Sequence, residues 1–368
     1  IARLRVDSNF LNDLSDELPV RNTTKFVDEV MGGTNSFVYL FDSGVEDGIK
    51  EPAILREIER LQEQADRQTH LVKKTYSVVD VLKDINQSFH GGDPAYHVLP
   101  DTRELAAQYL LLYEMSGGEE VEEYVSSDYS RASLELRCKW TDSSLLAKMV
   151  EDLGSYLEAE PLVASTASRT GIGALWIQLM DYITESQIRG FLLAFTAIAA
   201  MLCLLFKSLR IGLLSMLPNL APVVFVLGLM GWIDIPLDYQ RLLIAPVAIG
   251  ISVDFTIHLV TRYRHEIIES RDYEGALHAS MVDVGRALFI TALVLVAGFL
   301  VFVFSILDSQ VSFGFLLASV IAAALAANFF LMPALILTFE PFGPYDGVRI
   351  GRRWKPGSRG SERVREEG

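Results

Sequence analysis

Asp254 and His258 stand four residues apart in GISVDFTIHLVTRYRHE, residues 250–266, a stretch that is otherwise largely apolar. On a helix, Gly250, Asp254, His258 and Arg262 recur at every fourth position and therefore share one stripe. If this helix crosses a membrane, the carboxyl group of Asp254 raises the free energy of insertion by about 2.5–3.5 kcal/mol on insertion scales. A residue with this cost is expected to have a function. A carboxyl group in apolar surroundings can alternate between protonated and ionised forms, as a proton relay requires. We therefore predict a proton relay at Asp254.

The role of His258 is open between a relay partner, an exit station for protons and an interfacial histidine. The alternative for Asp254 is a neutral side chain that hydrogen-bonds a neighbouring helix and only supports packing. Thr291 and Asn328, in two later apolar stretches, are the residues that could hydrogen-bond the Asp254 side chain. We predict that they and Gly250 support the relay or the helix packing.

Apolar runs of the length needed for a bilayer dominate the chain after residue 186, since about 20 apolar residues cross a membrane as a helix. A soluble bundle is the alternative, but its helices rarely stay apolar on all faces over such lengths. We predict membrane-spanning helices at 188–206, 211–233, 242–260, 287–307 and 313–339.

The second of these spans contains Pro218 and Pro222, which bracket Asn219. Prolines at this spacing leave backbone carbonyls without helix partners and bend the helix. We predict a hinge at the two prolines, or a bend alone, and a relay-supporting or packing role for Asn219.

Lysine and arginine collect in the loops on one side of the predicted spans, for example at Lys207 and Arg210. Because such loops remain in the cytoplasm, residues 1–185 are predicted to be extracytoplasmic and residues 341–368 to form a basic cytoplasmic tail. The polar stretch 262–285 is predicted to be an amphipathic helix on the cytoplasmic membrane surface.

The first 185 residues alternate strand and helix patterns. Strands are predicted from runs of β-branched and aromatic residues or from strict alternation, and helices from apolar residues at helical spacing. Two strand–helix units with a short third strand fit a ferredoxin-like α+β domain. The helix RELAAQYLLLYEM is predicted to contribute to the core, or else to a groove for a hydrophobic substrate. The predicted units are strand 35–43 with helix 51–67, and strand 131–140 with helix 141–160 and strand 162–169.

Composition excludes several functions. The net charge of −15 argues against a nucleic-acid partner, which needs a basic surface. We find no glycine-rich phosphate loop, no metal-spaced histidines or cysteines and no nucleophile elbow, so we expect neither an enzyme nor a bound cofactor or metal. Cys138 and Cys203 fall in unlike regions and are not expected to pair.

Several segments together resemble one half of an exporter of the resistance-nodulation-division superfamily, in the branch of the MMPL proteins and hopanoid transporters. They are TGIGALWIQLMDYITESQIRGFLLAF, FKSLRIGLLSMLPNLAPVVFVLGLMGWIDIPLD, GISVDFTIHLVTRYRHE, VGRALFITALVLVAGFLVF and FGFLLASV. The resemblance implies an α-helical membrane bundle (residues 186–340) preceded by a ferredoxin-like α+β porter domain (residues 1–185). It also implies a location in the inner membrane, a further helix before residue 1, and a place in the C-terminal half of a two-half protein.

In the resembling family the carboxylate of a Gly-x-x-x-Asp pattern couples transport to protons, which places that role on Gly250 and Asp254. Phe255 replaces a tyrosine that is common in the family, and Asn328 replaces a common aspartate. The implied function is proton-driven export of a lipid or other hydrophobic compound. The implied partners are that substrate, protons, membrane lipids and the other half of the transporter or a further copy of the chain. The alternative function is a sterol-sensing-domain-like lipid sensor or scaffold without proton-coupled transport.

Overall fold

A computed structural model describes residues 5–342 of the chain. The predicted tail therefore lies, from residue 343 on, outside the described residues. The first part of the described chain combines helices with short strands. Its elements are α1 (Pro19–Val30), β1 (Asn35–Asp42), α2 (Pro52–Asp66), β2 (Val72–Ser77), α3 (Val78–Phe89), α4 (Arg103–Met115), β3 (Arg131–Cys138), α5 (Ser143–Ala159) and β4 (Thr166–Thr170).

The four strands form an antiparallel sheet in the order β2-β3-β1-β4. Tyr39 at the centre of β1 lies opposite Leu134 on one side and Arg169 on the other. Alternate side chains of β1 and β3 point to one face, where they are almost fully buried against α2 and α5. The side chains on this face form the hydrophobic core of the first part of the chain, and the second part has a separate core.

Long apolar helices form the second part of the chain, and five of them are long and apolar enough to cross a membrane. They enclose a second hydrophobic core, to which α7, α8 and the last membrane helix contribute most. Its elements are α6 (Gly171–Phe206), α7 (Leu209–Trp232), α8 (Ile244–Ser270), α9 (Tyr273–Asp283), α10 (Gly285–Leu300), α11 (Asp308–Ala326), a π-helical segment (Ala327–Leu331) and α12 (Met332–Phe339).

Each predicted span corresponds to a helix, but the boundaries differ. The first helix begins at Gly171 rather than at residue 188, because the polar residues before the apolar run continue the same helix. The third continues to Ser270, so the predicted surface helix 262–285 is wrong as a single element: its first part belongs to α8, and Arg271 breaks the helix in a left-handed conformation with φ 53°. Only the remainder forms the separate short helix α9.

The sequence patterns missed α1, β2 and α3. Strand β2 has the sequence VKKTYS and lies at an edge of the sheet, with Lys73 and Lys74 exposed, so it lacks the apolar alternation used to recognise strands. Helix α3 follows without a loop, because Ser77 caps its first turn and Asp80 bonds back to the Ser77 backbone in a capping box.

The sheet continues directly into the first membrane helix. Gly171 follows β4 with φ +86°, and an added Cβ there would lie 3.1 Å from the side chain of Val38 on β1. Helix α6 then runs for 36 residues, or about 54 Å at 1.5 Å per residue, longer than a bilayer core of about 30 Å. The N-terminal segment makes a second connection, where Val6 pairs with Leu237 in a parallel bridge.

Leu153 and Leu145 on α5 provide a matched test of the first core, because Leu153 is fully buried and Leu145 is 44% exposed. We expect Leu153→Ala to lower the free energy of unfolding of this part by about 2–5 kcal/mol through lost burial and a cavity. Leu145→Ala should change it by less than about 1 kcal/mol. Denaturant unfolding in detergent, followed by protease susceptibility, measures both; equal effects would contradict the assignment of the core.

Candidate functional site

Helix α8 has two polar faces that point in opposite directions. Ser252 and Thr256 are completely buried inside the bundle, whereas Asp254 and His258 are exposed. The two sets are offset by two residues, which is about 200° on a helix, so they cannot meet the same neighbours. Residues 250–266, which suggested a single polar site, therefore contain two separate sets of polar residues.

Asp254 and His258 contact each other on the exposed face. Nε2 of His258 lies 3.4 Å from Oδ1 of Asp254, and each side chain is 62% exposed. A carboxyl group and an imidazole at i,i+4 spacing lie one helical turn apart on the same face, an arrangement through which a proton can pass directly or by way of one water. The structure thus brings together the two residues for which a relay is predicted.

A hydrogen-bonded cluster occupies the buried face and joins three membrane helices. The Ser252 hydroxyl donates to Oδ1 of Asn219 on α7 over 2.9 Å. The Thr256 hydroxyl lies 2.7 Å from the same Asn219 oxygen and 2.8 Å from Oδ1 of Asn328 in the π-helical segment. Because a hydroxyl has one proton, Thr256 donates to one amide oxygen at a time. We call these four residues the inner polar cluster.

Each asparagine of the inner polar cluster also uses its amide group. Nδ2 of Asn219 donates to the Ser215 carbonyl, and Nδ2 of Asn328 donates to the Ala324 carbonyl. Buried polar groups satisfied in this way hold neighbouring helices in one register. The cluster therefore packs α7 and α8 against the last membrane helix.

Helix α7 continues through both Pro218 and Pro222, which are buried. Pro222 has no N–H, so the carbonyl of Pro218 lacks its helical partner. The hydroxyl of Ser252 lies 3.4 Å from that carbonyl oxygen and faces the freed group. The prolines are thus placed beside the inner polar cluster, and a hinge there remains a prediction.

The predicted hydrogen bonds from Thr291 and Asn328 to Asp254 are wrong. Asn328 bonds Thr256 on the opposite face of α8, and the Thr291 hydroxyl donates to the carbonyl of Ala287 in its own helix. Gly250 lies on the same exposed face as Asp254, and an added Cβ there would meet no atom within 4 Å. Arg262, the last member of the predicted stripe, pairs with Glu266 and with Asp283 on α9.

A buried ionic cluster lies at the end of the bundle where α8 begins, and the sequence analysis did not predict it. Nη1 of Arg241 lies 2.6 Å from Oδ2 of Asp238, and its Nη2 donates to the Ser312 hydroxyl over 2.6 Å. The Tyr239 hydroxyl donates to Asp13 in the N-terminal segment over 3.3 Å. The cluster joins the α7–α8 loop, the start of α11 and the N-terminal segment. The only local signal for it was the Asp-x-x-Arg spacing of residues 238–241.

Burial raises the pKa of both carboxyl groups in this cluster above the ordinary value. Burial raises the pKa of Asp13, and the negative charge of Asp238 adds to the rise. Burial also raises the pKa of Asp238, against the opposing effect of Arg241. The ionisation state of the cluster is therefore sensitive to acidification.

An open cavity of about 990 Å³ lies between α5, α6 and the loop before α8. Its lining includes polar residues such as Glu151 and Asp181 and apolar residues such as Ile188 and Leu242. A second open cavity, of about 590 Å³, lies between α3 and α4 and includes Leu112.

Helix α4 contributes both to the core and to the wall of the second cavity. Tyr109 belongs to the core and donates a hydrogen bond to Asn86, whereas Leu112 is 47% exposed and lines the cavity. A role of this cavity as a groove for a hydrophobic substrate remains a prediction. Within residues 5–342, no group of three or more His, Cys, Asp or Glu side chains is arranged to hold a metal ion.

Known proteins match this chain over most of its length. The MMPL family matches residues 32–365. The membrane protein MJ1562 of Methanocaldococcus jannaschii is 23% identical over 347 residues, which cover 92% of this chain and 86% of that protein.

Two further relatives match over a shorter region. The trehalose monomycolate exporter MmpL3 of Mycobacterium tuberculosis is 28% identical over 170 residues, 43% of this chain and 18% of the exporter. The hopanoid transporter HpnN of Rhodopseudomonas palustris is 27% identical over 180 residues, 49% of this chain and 19% of the transporter. The match therefore covers less than a fifth of either transporter.

Arg241 provides a test of the buried ionic cluster. Arg241→Met leaves Asp238 buried without its cation, and we expect a loss of about 3–5 kcal/mol in the free energy of unfolding. Arg5→Met is the matched control, because it breaks an ion pair with Asp234 whose side chains are 61% and 77% exposed and should change stability little. Thermal unfolding in detergent compares the variants; equal effects would contradict a structural role for the buried pair.

Asp13 provides a test of the pH response. The pKa of Asp13 in the folded state is raised above 3.8, so the folded state binds this proton more tightly than the unfolded state does. Proton binding at Asp13 therefore stabilises the fold fully below pH 3.8, and this stabilisation is lost as pH rises through the folded pKa. The side chain of Asp13→Asn has no charge at any of these pH values, so the variant does not lose stability in this way. We expect the variant to unfold at a higher temperature than the wild type at about pH 7, with the difference shrinking towards about pH 4. A variant that is less stable at neutral pH would contradict this.

Proposed function

Because the chain belongs to the MMPL family, as its motifs predicted, we propose that it exports a lipid or another hydrophobic compound across or out of the inner membrane, driven by the proton-motive force. The chain is a multi-pass membrane protein with relatives that are named as exporters and transporters of such compounds. The observation that carries the proposal is the Asp254–His258 contact within a membrane-spanning helix. A titratable pair within a membrane-spanning helix is costly, and residues of this kind commonly mark proton relays or ion pathways.

Asp254 takes up a proton from the outside and His258, one turn nearer the cytoplasmic end of α8, accepts it. The driving energy is adequate, since one charge moved through 100 mV yields about 2.3 kcal/mol before any pH gradient is counted. The orientation assumed here follows from the basic loops, which place the sheet outside and α9 on the cytoplasmic side.

The sheet with α2 and α5 acts as a ferredoxin-like porter domain that passes the substrate without chemical change. The order β2-β3-β1-β4 and the two helices packed on one face support this assignment. The 990 Å³ cavity offers the substrate a route, because it is lined both by α5 of the porter domain and by α6 and the loop before α8 of the membrane domain. The porter domain would span residues 1–185 and the membrane domain residues 186–340.

Helix α8 carries the change in charge to the rest of the bundle through its buried face. Ser252 and Thr256 connect it to α7 and to the π-helical segment, and π-helical turns are frequent at functional sites. Protonation of Asp254 removes its negative charge, so the exposed face of α8 becomes easier to place in the apolar core of the bilayer. Helix α8 then moves together with α7 and the π-helical segment, and α7 bends at its two prolines.

Asp254→Asn tests the function, because it removes the titratable proton at nearly constant shape on an exposed face. We expect the variant, at normal abundance in the membrane, to lower the amount of exported lipid at least about tenfold. Asp234→Asn is the matched control: it makes the same chemical change in a loop outside the spans, 77% exposed, and should export normally. Surface lipids extracted from expressing cells and quantified by mass spectrometry, with and without a protonophore, provide the measurement.

Normal export by Asp254→Asn would refute proton coupling at this residue. If the wild type exports nothing and both proteins bind lipid equally, the chain is instead a lipid sensor or scaffold of the sterol-sensing type.

A further inference from the structure

The N-terminal segment, residues 5–14, lies between the porter domain and the membrane bundle and bonds to both. On the side of the porter domain, the carboxylate of Asp7 accepts a hydrogen bond from the hydroxyl of Ser144 in the first turn of α5, over 2.8 Å. On the side of the bundle, the N–H of Leu237 donates to the carbonyl of Arg5 over 2.7 Å. The segment therefore connects the two parts of the chain independently of α6.

The segment also reaches the buried ionic cluster, where Asp13 is 9% exposed and Asp238 is 3% exposed. The cation of this cluster is Arg241, whose Nη1 lies 2.6 Å from Oδ2 of Asp238. The Tyr239 hydroxyl donates to Asp13 but carries no charge. With both carboxyl groups ionised, the cluster has two negative charges and one positive charge, so one bound proton makes it neutral.

Charged groups on the neighbouring elements have partners of their own. Arg21 on α1 lies 2.9 Å from Asp16 and 3.9 Å from Asp308 at the start of α11. Arg5 pairs with Asp234 in the loop after α7, and both of these side chains are exposed. Neither arginine is bonded to the carboxyl groups of the buried ionic cluster, so they do not supply the positive charge that the cluster lacks.

The pKa values of the two carboxyl groups agree with this count of charges. Burial raises the pKa of Asp13 most, the negative charge of Asp238 raises it further, and the lowering effects of Tyr239 and Arg241 are smaller. Burial also raises the pKa of Asp238. A proton therefore stabilises the docked segment fully below pH 3.8, the ordinary pKa of Asp13, and this stabilisation is lost as pH rises through the raised pKa.

We propose that Asp13 and Asp238 form a second proton-binding site, which holds the N-terminal segment on the bundle when the outside is acidic and weakens that hold near neutral pH. The orientation inferred from the basic loops places this site on the outer side of the membrane, where it senses the external pH. Its position and its task differ from those of Asp254 and His258, because it controls a connection between the two parts of the chain.

Docking of the segment bears on transport, because the segment also lines the 990 Å³ cavity through Val6, Asp7 and Ser8. While the segment is docked, a movement of the loop before α8 passes through it to α5. When the segment is released, that connection is lost. An acidic outside therefore couples the bundle to the porter domain. This role in transport rests on the proposed function, whereas the dependence of docking on pH does not.

Distance measurements between two spin labels test the docking directly. The labels are attached at Val6→Cys in the segment and at Ile306→Cys in the loop before α11, two positions that are 53% and 68% exposed. The full chain in nanodiscs also carries Cys203→Ala, and the remaining thiol, Cys138, is buried. Between about pH 4 and about pH 8, we expect the fraction of molecules with the short, docked distance to fall at least about threefold.

Three variants separate a proton site from a structural contact. Asp13→Asn cannot ionise, so we expect the docked distance at every pH. Tyr239→Phe removes a hydrogen bond that lowers the pKa of Asp13, so release should need a higher pH than in the wild type. Glu17→Gln is the matched control, because it removes an exposed carboxyl group close to the segment and should behave like the wild type.

Two results would overturn the proton site. One is a docked fraction of the wild type that stays constant between about pH 4 and about pH 8. The other is release of Asp13→Asn at pH values where the wild type remains docked, because the carboxylate itself would then be required for docking.

Lipid export by the same proteins in proteoliposomes separates this proposal from the proposed function. At about pH 8 outside, we expect Asp13→Asn to export at least about threefold more than the wild type, and at about pH 4 the two should be equal. Equal export at both pH values would overturn the role of the site in transport. If docking follows pH but neither protein exports, the proposed function fails and the proton site stands. If the wild type exports while docking ignores pH, only the proton site fails.

Discussion

A bilayer offers polar side chains no hydrogen-bond partners, and this constraint explains how polar residues are arranged on α8. Its buried face carries Ser252 and Thr256, whose hydroxyls find amide oxygens of Asn219 and Asn328 within 2.9 Å. Its exposed face carries Asp254 and His258, whose side chains contact each other at 3.4 Å. The buried set completes its hydrogen bonds within the bundle and serves packing. The exposed set does not take part in that packing, and the proposed function is assigned to it.

The position of the ionic cluster follows from the same constraint. Asp238 and Arg241 occupy the end of the bundle, where the loop before α8 can be closed by the N-terminal segment and by α11. A buried ion pair contributes little net stability but strongly penalises arrangements that separate its members. The cluster thus fixes how the loop, the N-terminal segment and α11 meet. Helix α6 makes the other connection between the two parts, because it extends for 36 residues without interruption from the end of β4 at the edge of the sheet into the bundle.

The sequence predicted what depends on local patterns and missed what depends on long-range contacts. Apolar runs located the membrane helices, and a single carboxylate within one of them indicated Asp254. The contact between Asp13 and Tyr239 joins residues 226 positions apart and has no local signal. The expected bond from Asn328 to Asp254 failed because helix rotation turns Thr256, not Asp254, towards the last span. Strand β2 was missed because an edge strand does not need an apolar pattern.

The energies of the proposed relay are matched in size. A carboxyl group at mid-membrane costs about 2.5–3.5 kcal/mol, and one proton moved through 100 mV returns about 2.3 kcal/mol. The first cost is met once, when the helix inserts and folds, whereas the second energy becomes available with every proton that crosses. The energy of each proton therefore remains available for movement of the bundle.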